Sequence, residues 1–257
     1  MLMEERYTKI LQILDERKAV TVTELASVLD SSESTVRRDL AALDEIGRLK
    51  KVHGGATSLG TSAFVSSEND VNYKKQQFSE EKQAIGIAAA RLITSKDFIY
   101  IDAGTTTEAL VDAITEKEAV YVTNGLIHAQ KLMRKGMKTY VLEGRLREET
   151  EAIVGPEALH SLQKYHFTLG FFGANGIDYD EGFTTPDVGE ALIKREAFER
   201  SQIAYVLTDA SKFNQITPVT FGALEDGRII TNHLQDVRYK KKTEIMEVET
   251  NDLHSDF

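Results

Sequence analysis

The sequence predicts an α/β chain in two parts: a winged helix-turn-helix head over residues 1–57 and a larger α/β body over residues 78–239. Three observations carry that expectation. Apolar residues recur at helical spacing in three short blocks near the start, then give way to a basic, glycine-tipped run. From Ser79 onward, helix-patterned and strand-patterned blocks alternate, the order that builds a largely parallel sheet. Between the two parts, residues 58–77 are rich in Ser, Asn, Gly and Thr with no sustained period and read as a linker, while residues 240–257 read as a tail that holds at most one strand and frays at its end.

With 41% hydrophobic and 28% charged residues, the chain can bury a real core and is not a disordered protein. No apolar run approaches the ~20 residues of a membrane span; the best candidate, 84–93, is broken by Arg91. The start, MLMEERYTK, puts two acids where a secretory leader needs basic residues and an apolar core. The absence of cysteine removes disulfides, thiolate metal sites and cysteine nucleophiles together, and the six histidines show no metal-ligand spacing. A cytoplasmic protein without membrane span, metal or cofactor is expected.

The net charge of −10 argues at first against a polyanionic partner. Its distribution does not. Residues 1–56 carry nine Lys/Arg against ten Asp/Glu, whereas the remainder carries 22 against 31. Within the first part, Arg37, Arg38, Arg48, Lys50 and Lys51 form one basic edge.

In the head, Tyr7, Ile10, Leu11 and Leu14 mark the apolar face of a first helix. Thr23 is the expected N-cap of a short second helix with Leu25, Ala26, Val28 and Leu29 inward. After the break at Asp30, Ser31 and Ser32, Ser32 or its neighbour caps a third helix whose buried stripe is Val36, Leu40 and Leu43. A tight break between two short helices is helix-turn-helix spacing. The third helix presents Ser34, Thr35, Arg37 and Arg38 off its apolar stripe, hydroxyls suited to phosphates and arginines to guanine edges or phosphates. Arg48, Leu49, Lys50, Lys51, Val52 and His53 then alternate as a half-buried strand would, turn at Gly54 and Gly55, and so form a basic wing with which residues 21–23 can pair. A pair of arginines alone is ordinarily a solvated face; three helices, a capped third helix, the pair and the wing together point to double-stranded operator DNA, through Ser32, Ser34, Thr35, Arg37, Arg38, Lys50, Lys51, His53 and Gly54.

The stretch ERYTKILQILDERKAVTVTELASVLDSSESTVRRDLAALDEIGRLKKVHGGA resembles the N-terminal signature of the DeoR family of bacterial transcriptional regulators, most specifically in SESTVRRDL and HGGA. Family members usually carry an arginine where this chain has Lys50 or Lys51, and lysine lacks the planar bidentate fork.

In the body, strands are expected at 98–102, 120–123, 139–142, 168–172, 203–208 and 228–231, with helices around 79–92, 106–116, 126–135, 156–163 and 187–200. Ligands of such sheets gather at the carboxyl ends of the strands. There the sequence places Asp102, Gly104, Thr105, Thr106 and Thr107, then Asn124, then Gly144 and Arg147, then Asp209 and Lys212. Glycine admits a close backbone approach, and hydroxyls with free helix N–H groups make a phosphate site. Each fragment alone is an ordinary cap or turn; their joint placement favours a pocket for a small polyhydroxylated anion.

IYIDAGTTTEAL, VYVTNGL, VLEGRLREETEAIVGPEAL, FFGANGIDYDEGFTTPD and DASKF resemble the DeoR-type C-terminal sensor, which shares its fold with ribose-5-phosphate isomerases. The resemblance implies a sugar-phosphate effector, with the phosphate near residues 104–107 and sugar hydroxyls near Asp102, Asn124 and Asp209. The pattern is most similar to fructose operon repressors of Gram-positive bacteria, which implies fructose 1-phosphate; tagatose 6-phosphate or another hexose phosphate is the alternative. A sugar-phosphate isomerase fused to a DNA-binding head is the rival reading. Such isomerases carry acids after a middle strand where this chain has Phe172, Gly173, Ala174, Asn175 and Gly176, so a non-enzymatic repressor is expected, with no catalytic residue. Glu190, Glu196 and Lys212 are the groups left that could support residual chemistry. One head with few phosphate contacts binds weakly, so a homo-oligomer, dimer or tetramer, formed through the body is expected.

Overall fold

The computed structural model describes residues 3–45, 48–52, 54–58, 63–65 and 78–249. The chain divides into two compact units, one of residues 1–63 with 235–238 and the other of residues 64–234 with 239–257.

The first unit runs α1 (Met3–Arg17), β1 (Ala19–Thr21), α2 (Val22–Val28), α3 (Glu33–Glu45), β2 (Lys50–Val52) and β3 (Gly55–Thr57). Its core gathers Ile10 and Leu14 from the first helix, Leu25 and Leu29 from the second, and Val36, Leu40 and Leu43 from the third. The second helix starts earlier than its sequence implies. Thr21, not Thr23, is the N-cap: its Oγ1 accepts from the Glu24 N–H at 3.2 Å, while Glu24 Oε2 accepts from the Thr21 N–H at 2.8 Å. This reciprocal box fixes the helix phase. Val22, Leu25 and Leu29 then face inward and Val28, expected inside, is half exposed. Thr23 lies within the helix and donates its hydroxyl to Glu33 at 3.0 Å.

The three strands form an antiparallel sheet in the order β1-β3-β2. The segment that pairs with the wing is Ala19–Thr21 rather than 21–23, and it pairs with the returning strand β3. A Cβ on Gly55 would lie 2.2 Å from the Val20 carbonyl oxygen, so only glycine permits this approach. The expected half-buried alternation of β2 is absent: Lys50, Lys51 and Val52 are all exposed, and Leu49 just before them makes the apolar contact.

The second unit runs α4 (Ser79–Ala90), β4 (Phe98–Ile101), α5 (Thr105–Ala113), β5 (Val120–Thr123), α6 (Leu126–Arg134), β6 (Lys138–Val141), β7 (Arg145–Arg147), β8 (Ala152–Val154), α7 (Pro156–Leu162), β9 (Phe167–Gly173), β10 (Gly176–Asp178), β11 (Gly182–Thr185), α8 (Val188–Glu199), β12 (Ser201–Leu207), β13 (Val219–Gly222), β14 (Arg228–Thr231) and β15 (Ile245–Glu247). Its central seven-stranded sheet has the order β15-β14-β12-β9-β4-β5-β6, and its strand pairs are parallel. The expected strands lie where the pattern put them, to within a residue or two, and β15 is the strand expected in the tail. A three-stranded antiparallel sheet (β10-β11-β13) and the β7–β8 hairpin are additions that the alternating pattern did not announce.

Successive strand residues point to opposite faces, and the body accordingly has two cores. Tyr100, Val122, Phe172 and Val206 pack on one face with Ile193, Ala197 and Phe198 of α8. Ile99, Ile101, Tyr121 and Phe171 pack on the other with Ile85, Leu110 and Leu132 of α4, α5 and α6. Among the described residues no helix is long and apolar enough to cross a membrane. None of their His, Asp and Glu side chains cluster as a metal site.

Candidate functional site

In the head, Ser32 is the N-cap of α3: its Oγ accepts from the Thr35 N–H at 3.2 Å and lies 2.9 Å from both Ser34 Oγ and Thr35 Oγ1. The three hydroxyls thus form one cluster at the exposed start of the helix. Arg37 and Arg38 follow, both exposed. Arg37 is tied to Glu33 one turn back at 2.8 Å, whereas Arg38 has no ion-pair partner among the described residues. Lys50 and Lys51 are exposed on β2, and the Lys51 N–H donates to Asp44 Oδ1 at 2.9 Å, which anchors the wing to α3. Gly54 turns the wing at φ +85° and its carbonyl accepts from the Val22 N–H at 2.8 Å. His53 lies outside the described residues.

In the body, a cleft opens at the carboxyl ends of the adjacent strands β4, β9 and β12. Of the residues expected at a ligand site, it is lined by Gly104, Thr105, Thr106, Asp209 and Lys212. It offers about 80 Å³ to water centres, room for several waters where ~10–15 Å³ holds one. The helix α5 begins here, with Gly104 as a cap that supplies no side-chain hydrogen bond, so the N–H groups of its first turn face the cleft without one. Lys212 has no ion-pair partner among the described residues. It is held in a short turn whose cap is the buried Asp209, and the Asp209 carboxylate accepts from the Ser211 N–H at 2.9 Å.

Five expected residues do not line the cleft, for physical reasons. Thr107 is fully buried, with its Oγ1 donating to the carbonyls of Asp102 (2.6 Å) and Gly104 (2.9 Å) beside His128 Nε2 at 3.1 Å. Asn124 is buried as a brace: its Oδ1 accepts from the Ala103 N–H at 2.9 Å, which shapes the turn before α5. Asp102 is buried beneath the cleft, its carboxylate taken by the Lys194 ammonium and by the Gly173 N–H at 3.1 Å. Burial pushes its carboxyl above the ordinary value, and Lys194 and the Gly173 and Ala103 N–H groups pull it back without cancelling that. Gly144 sits at the turn before β7 at φ +134°, where a Cβ would meet the Val154 carbonyl at 2.7 Å, so it serves the backbone. Arg147 is spent on Glu190, Glu149 and Asp187, at 2.7, 3.3 and 3.9 Å.

The residues sequence reasoning missed come from α4, α8 and the β7–β8 turn: Lys82, Lys194 and Thr150; Glu190, which the sequence offered only as a group for residual chemistry, stands beside them at the cleft wall. Lys194 and Glu190 stand one turn apart on α8. Both occupy its buried stripe, with Ala191, Ile193, Ala197 and Phe198. Two charged residues in core positions of a helix were the available signal, because buried charge persists only when paired. Lys194 also donates to the Gly173 carbonyl at 3.1 Å, and Glu190 accepts from Thr150 at 2.5 Å. The carboxylates at or beneath the cleft are thus engaged, and the cleft wall left by Gly173, Ala174 and Asn175 carries no acid.

Comparison with known proteins matches residues 6–62 to the DeoR-like helix-turn-helix domain and residues 77–233 to the DeoR C-terminal sensor domain. The chain is 39% identical to the uncharacterized HTH-type transcriptional regulator FruR of Bacillus subtilis strain 168, over 95% of this chain and 97% of that protein. It is 33% identical to the lactose phosphotransferase system repressor of Staphylococcus epidermidis, over 93% and 96% of the two chains. Among solved structures, ribose 5-phosphate isomerase A from Neisseria gonorrhoeae aligns over 54% of each chain with 13% identity and a TM-score of 0.39. Two domain matches that span most of the chain, on a head and a body built as described, place it: the protein belongs to the DeoR family of transcriptional regulators.

Proposed function

We propose that the protein represses a sugar-utilisation operon, fructose use foremost, and that a sugar phosphate such as fructose 1-phosphate controls it from the body cleft. The observation that carries this reading is the pairing of Lys212 with the uncapped first turn of α5 on one cleft, where Asp102 and Glu190 are already ion-paired with Lys194 and Arg147. Net attraction is then left for an anion, and Thr105 and Thr106 supply hydroxyls beside the free N–H groups. The names of two relatives, a FruR regulator and a lactose phosphotransferase system repressor, point to sugar uptake as the regulated process.

On DNA, Arg38 and Arg37 read the groove from α3, Ser32, Ser34 and Thr35 hold phosphate at the helix start, and Lys50, Lys51, His53 and Gly54 follow the backbone. Two or more bodies associate so that two heads engage successive half-sites. The effector favours an arrangement that misplaces them; a full reversal from bound to free needs ~5.5 kcal/mol of preference between the two states. Isomerase turnover is disfavoured because Glu190 is held by Arg147 and Thr150, while Asp209, the other carboxylate at the cleft, caps the turn that carries Lys212.

The test is a thermal-shift screen against sugar phosphates, since a ligand that binds only the native state raises the melting temperature, followed by retention of the protein's own promoter fragment with each hit. Fructose 1-phosphate is expected to give the largest shift and to release DNA. Lys212→Ala and Thr105→Val should retain DNA binding and lose the response. A response led by tagatose 6-phosphate would move the assignment to that sugar, and sustained ketose–aldose conversion would overturn the sensor reading.

A further inference from the structure

Beneath the cleft lies a closed triangle. The Asp102 carboxylate accepts from Lys194 and from the Gly173 N–H, while Lys194 also donates to the Gly173 carbonyl. The triangle ties the ends of β4 and β9 to α8. Lys194 is the member that also faces the cleft. Two residues before Asp102, which directly follows β4 with its N–H still bonded to the Phe171 carbonyl, and so on the same face of the sheet, stands Tyr100, roughly 7 Å further down by strand geometry. Its ring is fully buried between Phe167 and Phe172, at 5.3 and 5.5 Å between centroids. Its hydroxyl is buried with no hydrogen-bond partner among the described residues. A phenylalanine would fill the same core without the desolvation cost of an unpaired buried hydroxyl. Burial and the charges of Asp102 and Glu190 push the Tyr100 hydroxyl well above the ordinary tyrosine value, so it stays a donor.

We propose that Tyr100, Asp102 and Lys194 form a partner-exchange switch: an anion entering the cleft draws Lys194 toward itself, and the Asp102 carboxylate is taken over by the Tyr100 hydroxyl. The inference rests on the anion-sensing reading above and gives that site its transmission. A phosphate and Asp102 compete for one ammonium. A buried carboxylate that loses its cation needs another donor, and Tyr100 is the buried one left idle. Because Lys194 rides on α8, the exchange moves that helix, and with it the Glu190 grip on Arg147 and Thr150.

The test uses the full chain, titrated by calorimetry with fructose 1-phosphate, tagatose 6-phosphate and inorganic phosphate, and by tyrosine emission, which nine tyrosines and no tryptophan make readable. Tyr100→Phe should keep or raise the ligand-free melting temperature yet weaken binding by about tenfold, because the displaced carboxylate then finds no donor. Asp102→Asn removes the competitor and should tighten binding. Added to Asp102→Asn, Tyr100→Phe should have no further effect, the non-additivity expected of a coupled pair. Ligand should quench wild-type emission and leave Tyr100→Phe unquenched. Wild-type affinity in Tyr100→Phe, or equal weakening in both backgrounds, would overturn the switch while the sensor stands. A wild-type chain that binds none of the three ligands would overturn sensor and switch together.

Discussion

Arg6 on the first helix of the head clamps Asp39 on the third through two parallel hydrogen bonds, Nε to Oδ2 at 2.7 Å and Nη2 to Oδ1 at 3.1 Å. Asp39 sits between Val36 and Leu40 on the stripe that faces the head's core and is itself buried. The fork-to-carboxylate geometry therefore sets how α3 rests on α1, and the arginines that α3 presents inherit that placement.

Removing one partner strands the other. Arg6→Met should lower the melting temperature of the head and weaken operator binding, although Arg6 lies on the helix across the core from the exposed arginines. Arg6→Met with Asp39→Leu should recover stability, since a well-packed apolar pair replaces a buried ion pair at little cost. A thermal melt of all three proteins checks this. A double variant as unstable as Arg6→Met would show that the clamp is more than a paired charge.

The Thr21–Glu24 capping box makes a separate, pH-dependent contribution. Thr21→Ala should cost about 1 kcal/mol, the ordinary loss of an N-cap hydroxyl. Hydrogen bonds from the Thr21 N–H and hydroxyl hold the Glu24 carboxyl below the usual range. A depressed carboxyl contributes stability that is complete above its unfolded value and is lost as pH falls through its folded value. Denaturant midpoints of wild type and Glu24→Gln should therefore differ at neutral pH and converge in acid. A constant difference across the range would count against the box.

Where α4 crosses α5, Gly86 meets the other backbone directly. A Cβ there would lie 2.6 Å from the Ala109 carbonyl carbon and 2.7 Å from both the Ala109 oxygen and the Leu110 nitrogen. No side chain can swing away to make room. Gly86→Ala should cost about 1–3 kcal/mol as an overpacked contact. Because α5 carries the cleft's N–H groups, effector affinity should fall with it. Calorimetric melting and an effector titration read the two effects, and a variant with wild-type values in both would mean the helices separate freely.

Local periodicity carried much of the architecture. Val36, Leu40 and Leu43 announce α3, and the apolar runs at 98–101 and 120–123 announce central strands, because each pattern is set by neighbours in sequence. The cleft was legible in half. Gly104, Thr105 and Lys212 follow strand ends, and the general rule for parallel sheets brings those ends together. Thr107 and Asn124 carry the same chemistry but turn inward, a matter of one helical step and one loop that no local pattern encodes. Lys194 reaches Asp102 across 92 positions of sequence, so only the packing of α8 on the sheet makes them partners. Thr21 and Thr23 offer the same capping hydroxyl; the glutamate three residues after Thr21 decides between them.

The two arginines of α3 should separate in their DNA-binding behaviour. Arg37 must leave Glu33 to reach DNA, though an exposed pair of this kind holds it by no more than ~1 kcal/mol. Arg38 has no such tie among the described residues. If Arg38 reads a base edge, Arg38→Ala should cost ~1–3 kcal/mol at the cognate site and relax sequence preference there. If Arg37 neutralises phosphate, Arg37→Ala should weaken all sequences alike and lower the salt slope by about 0.9. Glu33→Ala, which frees Arg37 and removes a negative charge from the helix start, should strengthen non-specific binding. Binding isotherms at several salt concentrations, on cognate and scrambled duplexes, distinguish these effects. Retention of full cognate affinity by Arg38→Ala at physiological salt would take the recognition role away from this helix.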